Sequence, residues 1–228
     1  MTDLPIETPT TRPRWVLPTV GAAIVALIAA TNIGNVVWAS WLEDNPLGLI
    51  ALNSSNKYLL CTSINTDLIP FFLIATIRLM LPDPLFWWLG HSYRDKALNW
   101  ARQIFPGMDP IFDQFEGDRT GFKKLLHVLI VIMPNNPVCL LAGVAAIPFR
   151  RFIVLSLVGT IGRVAIMRGI GMVFEDQIED VLDFVAKYQV WLTRGSIVLV
   201  IGYVVWQFVG KRGLIGGVET LDEDLGDD

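Results

Sequence analysis

The sequence predicts an all-α membrane protein with four crossing helices and two opposed re-entrant hairpins, an arrangement that resembles transporters with inverted repeats. Two observations support this prediction. Of the 228 residues, 53% are hydrophobic and only 18% are charged, a composition too apolar for an ordinary soluble domain of this length. Several apolar runs also reach the roughly 20 residues that a helix needs to span the hydrocarbon core of a bilayer.

The first crossing is predicted at residues 15–41. A secretory signal has a hydrophobic region of only about 7 to 15 residues, so this longer run predicts a retained helix. Arg12 and Arg14 precede it, and the positive-inside rule therefore places the tail 1–14 in the cytoplasm.

Three further runs are long enough to cross, at about residues 64–90, 150–174 and 190–210. With four crossings, lysine and arginine gather on the loops predicted to be cytoplasmic, and most loop acids fall on the outer side. We therefore expect one membrane domain, residues 15–212, with both termini cytoplasmic. The acidic segment 213–228 is predicted to be a disordered tail.

Two more apolar stretches carry polar turn residues at their centres: PLGLIALNSSNKYLLCTSI and LLHVLIVIMPNNPVCLLAGVAAIP. Non-helical backbone at membrane depth is tolerated only where protein buries it or where it lines a wet cavity. These stretches are therefore predicted to be hairpins that enter from opposite sides and turn back. Paired interruptions of this kind indicate a binding site near the midplane.

The hairpin tips supply the first candidate binding residues. In the second tip, Asn136 is predicted to cap a helix that begins at Pro137, because proline's missing amide hydrogen costs nothing at the first helical position. The start of a helix attracts anions, so Asn135 and Asn136 are predicted to bind a phosphate. Asn53 and Asn56 of the first tip are predicted to face them.

Arginines within the crossings supply the next candidates. An arginine near the bilayer centre costs about 2.5–3.5 kcal/mol on insertion scales, so it should face protein or water. Arg163 is predicted to contact a phosphate, with a structural pairing as the alternative. Arg78 is a second phosphate candidate, with snorkelling towards the cytoplasmic end of its helix as the alternative. Asp95 and His127 are candidates for proton coupling, each with a structural role as the alternative.

Signals of soluble enzymes are missing from the sequence. It contains no zinc-protease motif, no glycine-rich phosphate loop and no serine-nucleophile motif. We therefore expect no catalytic activity, no metal, no cofactor and no nucleic-acid partner. The connection at about residues 91–124 mixes aromatic and charged residues, and it is predicted to lie along the cytoplasmic interface near anionic headgroups.

Two segments, PDPLFWWLGHSYRDKAL and PNNPVCLLAGVAAIPFRRFIVLSLVGTIGR, resemble the DedA family, also called the VTT or SNARE-associated family. The similarity covers about residues 41–175, and Asp95 best matches a family acidic position. Many members carry a glutamate in the first hairpin tip, and the tip LNSSNKY lacks it. The resemblance implies that the protein lies in the cell membrane of a bacterium. It also implies a flippase or scramblase for a phosphate-bearing lipid, such as undecaprenyl phosphate or a phospholipid.

Two other functions stay open at this point. One is a proton-coupled transporter of small solutes on the same scaffold. The other is a membrane scaffold that recruits partners through its cytoplasmic loop or acidic tail. Membrane lipids are the expected partners, and the sequence leaves a homo-oligomer open.

Overall fold

A computed structural model describes residues 16–210 except 106, 108 and 118. The described residues form helices and no strand. In chain order the helices are α1 (Val16–Asp44), α2 (Pro46–Leu52), α3 (Asn56–Thr62), α4 (Leu68–Met80), α5 (Pro82–Ile104), α6 (Asp109–Gly117), α7 (Arg119–Ile132), α8 (Asn136–Val144), α9 (Phe149–Val173) and α10 (Glu175–Gly210).

Among the described residues, four helical segments are long and apolar enough to cross a membrane, which agrees with the predicted number of crossings and indicates a membrane protein. They are Leu17–Asp44, Leu68–Arg94, Phe149–Val173 and Glu175–Tyr203. The second crossing, predicted at about residues 64–90, corresponds to Leu68–Arg94, and within it α4 ends at Met80 and α5 begins at Pro82. Proline has no amide hydrogen to donate and bends a helix at such a position.

The last helix begins at Glu175 rather than near residue 190 as predicted. Its acidic first turns carry Ile178, Leu182 and Val185 on one face, at helical spacing. These three side chains are buried in a cluster that includes Leu42 of α1 and Tyr58 of α3. The sequence prediction counted the charges of this segment and overlooked its apolar face.

Each predicted hairpin is broken at its predicted tip. Residues 53–55 separate α2 from α3, and residues 133–135 separate α7 from α8. The two members of each pair contact each other. Their depth in a membrane and the inverted repeat stay predictions.

The connection after the second crossing packs its aromatic face onto the helical bundle, and its placement along a membrane interface stays a prediction. Trp100, Phe112 and Phe115 are fully buried and pack in the same cluster as Leu17 of α1. Fully burying one such side chain contributes about 1.5–3 kcal/mol, which explains why the segment folds onto the bundle. Arg94 breaks α5 ahead of it with φ 45° and ψ −113°.

Backbone contact between α5 and α8 fixes the second hairpin. A methyl group at Gly90 would overlap the carbonyl of Leu140, and one at Gly143 would overlap the carbonyl of Trp87. Small residues allow helices in membranes to approach this closely. All residues of α8 from Pro137 to Val144 are buried, and both Asn136 at its start and Pro82 at the start of α5 line one cavity.

Candidate functional site

A cavity of about 690 Å³ lies between α1, α4, α5, α8 and α10. Most of its lining is apolar, as at Phe86 and Phe105. The polar side chains that line it are Thr31, Asn32, Asn35, Arg78, Asn136 and Tyr203. Sites for small ligands typically combine a mainly apolar wall with a few polar groups that fix orientation.

Arg78 is the only charged residue among the described residues that line this cavity. It is half-buried and lies near the middle of the candidate crossing Leu68–Arg94. Its Nε and Nη2 donate hydrogen bonds to the carbonyl of Leu52 at 3.1 and 2.9 Å. Nη2 also donates to Thr31 Oγ1 at 2.9 Å. Within the described part of the chain, Arg78 Nη1 has no hydrogen-bond partner and no acid pairs with the guanidinium.

Three polar residues of α1 complete this side of the cavity, and the sequence analysis missed them. Thr31, Asn32 and Asn35 lie in the run TNIGN, in the middle of an otherwise apolar crossing. Their spacing puts them on one face of the helix. The signal was present in the sequence, since two asparagines at mid-membrane are costly unless protein or water satisfies them.

The first hairpin tip positions these α1 residues without lining the cavity itself. Asn53 is only 6% exposed, and its Nδ2 donates to Asn35 Oδ1 at 3.0 Å. The hydroxyl of Tyr58 donates to the same oxygen at 3.1 Å. Gly34 permits this contact, because a Cβ there would lie 2.8 Å from the Cβ of Asn53. Asn53 is therefore a positioning residue.

The second tip differs from its prediction by one residue. Asn135, and not Asn136, caps α8: its backbone is extended and its Oδ1 accepts a hydrogen bond from the amide of Val138 at 3.0 Å. Pro137 is the second helical residue rather than the first. Asn136 is instead the first residue of α8, and it lines the cavity.

Arg163 does not line the cavity, so the structure does not assemble the predicted phosphate site of Arg163 with Asn135 and Asn136. Its Nε and Nη2 donate to Asn56 Oδ1 at 3.1 and 2.7 Å. The neighbouring Val164 is buried in one cluster with Phe71 of α4. This part of α9 therefore packs against α3 and α4. Arg163 and Asn56 therefore join α9 to the first hairpin.

Of the two predicted coupling residues, His127 is not among the described residues that line the cavity. His127 is in α7, where its Nδ1 lies 2.6 Å from the carbonyl oxygen of Lys123. Asp95 directly follows the break at Arg94, and its side chain lies outside the described residues.

Asp83 is a buried acid that the sequence analysis did not select. It is 2% exposed and accepts hydrogen bonds from the Ser156 hydroxyl and the Cys139 thiol. No described cation forms an ion pair with it, although Arg163 attracts it electrostatically. Asp83 thus connects α5, α8 and α9 directly behind Pro82, which lines the cavity. The signal was an acid between two prolines in an apolar run.

Comparison with protein-family models, with characterised proteins and with solved structures finds no match to this chain. Among the described residues, no three His, Cys, Asp or Glu side chains lie close enough together to hold a metal ion. The cavity itself therefore carries the chemistry of the site. It combines one guanidinium that has no acidic partner in the described part of the chain, several amide side chains and a largely apolar wall.

Alanine substitutions of the two asparagines of the second tip are expected to differ in their effect on the free energy of unfolding. Asn135→Ala removes the cap of α8 and should lower the free energy of unfolding by about 0.5–2 kcal/mol. Asn136→Ala removes a cavity side chain and should leave stability nearly unchanged. Thermal unfolding of both variants in detergent tests this assignment. A larger loss for Asn136→Ala than for Asn135→Ala would contradict it.

Replacing Asp83 is expected to destabilise the fold, and the loss should be larger when fewer acceptor oxygens remain. Asp83→Ala leaves the buried donors of Ser156 and Cys139 without their partner, and each unpaired buried donor costs about 1–3 kcal/mol. Asp83→Asn keeps one acceptor oxygen and should lose less. The midpoints of thermal unfolding give the comparison, and equal values for wild type and both variants would refute a structural role.

Proposed function

We propose that this chain is a membrane lipid transporter, a flippase or scramblase that moves a phosphate-bearing lipid across the bilayer on a DedA-like scaffold. The observation that carries the proposal is Arg78, which lies in the middle of a candidate crossing and lines a cavity of about 690 Å³. Among the described residues it has no acidic partner. Charged residues inside membranes are costly and are functional by default.

The chemistry of the cavity suits a lipid phosphate. A guanidinium presents its donors in a planar fork that matches phosphate oxygens. Backbone and hydroxyl oxygens orient Arg78 through Nε and Nη2, and Nη1 keeps its donors for a ligand. Asn32 and Asn136 add amide groups beside it. The apolar remainder of the lining suits the first carbons of a lipid tail.

A small organic anion is the second candidate substrate, because the cavity has the size of a small-molecule site. Its volume falls in the range of about 300–1,000 Å³ that is typical of small-molecule sites. Such an anion would use the same guanidinium and amides but would have no tail in the bilayer. Transport assays with a lipid and with a soluble anion separate the two.

The proposed arrangement in the membrane has both termini in the cytoplasm of a bacterial cell and the two hairpins entering from opposite sides. Lys57 would then face outside and Lys124 the cytoplasm, because each hairpin returns to the side from which it came. Single cysteines at these two positions, labelled with a membrane-impermeant reagent, give the sidedness. Labelling of both from the same side would rule out this arrangement.

The function is tested by reconstitution into phosphatidylcholine vesicles that carry a trace of fluorescent lipid. One sample contains a lipid with a phosphate monoester headgroup, and the matched control has the same tails with an uncharged headgroup. A chemical quencher added outside should reach nearly all of the phosphate lipid and only the outer half of the control lipid. Phosphate lipid that stays half-protected, as in protein-free vesicles, would refute the proposal.

A further inference from the structure

A second, smaller cavity of about 290 Å³ lies directly beside the first, between α1, α3 and α10. The two cavities share three lining residues: Asn32, Asn35 and Tyr203. On its far side the smaller cavity is lined by Trp38 and Lys57. The shared side chains therefore form a partition between a space that contains Arg78 and a space that contains Lys57.

Together the two cavities follow α1 through much of the membrane. The α1 residues that line them run from Ile24 in the larger cavity to Trp38 in the smaller one. At 1.5 Å per residue this stretch of helix rises about 21 Å. The hydrocarbon core is about 30 Å thick, so the cavities cover roughly two thirds of it.

Both cavities have the electrostatic character that an anion requires. The larger one contains Arg78 and the smaller one Lys57, and no aspartate or glutamate is found among the described residues that line either. Lys57 is exposed, and its Nζ lies 4.6 Å from the centre of the Tyr58 ring. A flexible lysine is a point charge without the fixed fork of an arginine, which suits a place where a phosphate arrives or leaves.

The two sides of the partition belong to different helices: Asn35 lies in α1 and Tyr203 in α10. Asn35 is held by Asn53 and Tyr58 of the first hairpin. Tyr203 belongs to α10, which is joined to α1 by a hydrogen bond of 2.7 Å from Trp38 Nε1 to Ser196 Oγ. A shift of α10 relative to α1 would move Tyr203 away from Asn35. The opening between the two cavities would then be wide enough for a headgroup.

We propose that the two cavities form one headgroup route along α1, with Lys57 as a second phosphate-binding station and the Asn35–Tyr203 pair as the constriction between the stations. This inference rests on the proposed lipid transport and extends it, because it assigns a path and a second site. The tails would remain in the bilayer beside α1 and α10 while the headgroup moves from Arg78 to Lys57.

The test uses a phosphatidic acid analogue that carries a photoreactive diazirine next to its phosphate, in phosphatidylcholine vesicles. Adducts on wild-type protein, mapped by mass spectrometry, should fall both near Arg78, as at Phe86, and near Lys57, as at Trp38. Lys57→Gln should remove the second group of adducts, keep the first and slow lipid movement about tenfold. The matched control is Lys187→Gln, because this exposed lysine of α10 also lies over a tyrosine ring, at 5.6 Å, and lines neither cavity.

The possible results separate the route from the function on which it rests. Lipid movement at the wild-type rate in Lys57→Gln, with adducts confined to the larger cavity, would overturn the route and leave lipid transport standing. Adducts at Trp38 that persist in Lys57→Gln would overturn the role of Lys57 as a station. No lipid movement and no adducts in the wild type would overturn both proposals.

Discussion

Arg78→Gln is expected to lower the rate of phosphate-lipid movement by about 10- to 100-fold, the equivalent of losing one hydrogen bond to a charged group. The reason is that Arg78 is the only charged residue among the described residues lining the larger cavity, and its Nη1 is free for a ligand. Arg78→Lys should recover part of the rate, because it restores the charge without the planar fork. The rates are measured by quenching of fluorescent lipid in vesicles.

Arg163→Gln is the matched control for this prediction. Arg163 is also a half-buried arginine within a crossing, but it donates to Asn56 and does not line the cavity. Its replacement should leave transport within about twofold of wild type, as expected for a change whose effect is well below 1 kcal/mol. Arg78 also contacts Leu52 and Thr31, so both variants are first checked for folding by thermal unfolding. An equal loss of transport in well-folded Arg78→Gln and Arg163→Gln would contradict the assignment.

Gly143→Ala is expected to cause a large loss of stability, at or above the upper end of the about 1–3 kcal/mol typical of overpacked positions. The added methyl group would overlap the backbone carbonyl of Trp87, and backbone cannot move aside as a flexible side chain can. The two helices would have to separate, which would loosen the whole buried face of α8. The midpoint of thermal unfolding in detergent measures the effect.

Gly162→Ala provides the control for that loss. Gly162 lies within α9 and has open space where its Cβ would be. Alanine in a helix is favoured over glycine by about 0.5–1 kcal/mol, so this variant should be as stable as wild type or slightly more so. If Gly143→Ala unfolded at the same temperature as Gly162→Ala, the close contact of α5 and α8 would be wrong.

The sequence predicted those features of the fold that depend on composition along the chain. Long apolar runs gave the number of crossings, because the bilayer sets the length that a helix needs. Polar residues inside apolar runs gave the breaks between α2 and α3 and between α7 and α8, because residues such as Asn53 and Pro134 disfavour a continuous helix there. The amphipathic start of α10 and the burial of Trp100 were missed, because charge outweighed the apolar face in the interpretation.

The candidate site was harder to predict, since it depends on which helix faces meet. Arg78 and Arg163 both lie within apolar helices, and nothing in the local sequence says that one faces a cavity and the other the first hairpin. Asn136 was correctly placed at a tip but assigned the capping role of its neighbour. Asn35 could have been selected from the sequence as a polar residue in an apolar helix. Its hydrogen bond with Asn53 depends on how α1 packs against the first hairpin, so only the structure gives it.

The central claim is that a lipid phosphate binds Arg78 inside the cavity, and solid-state NMR tests it most directly. Protein with isotope-labelled arginine side chains is reconstituted with a lipid bearing a phosphate monoester, and the dipolar coupling between arginine nitrogen and lipid phosphorus is recorded. We predict a coupling to the monoester phosphorus that falls in Arg78→Gln and stays at the wild-type level in Arg163→Gln. A coupling that is the same in wild type and Arg78→Gln would contradict the claim.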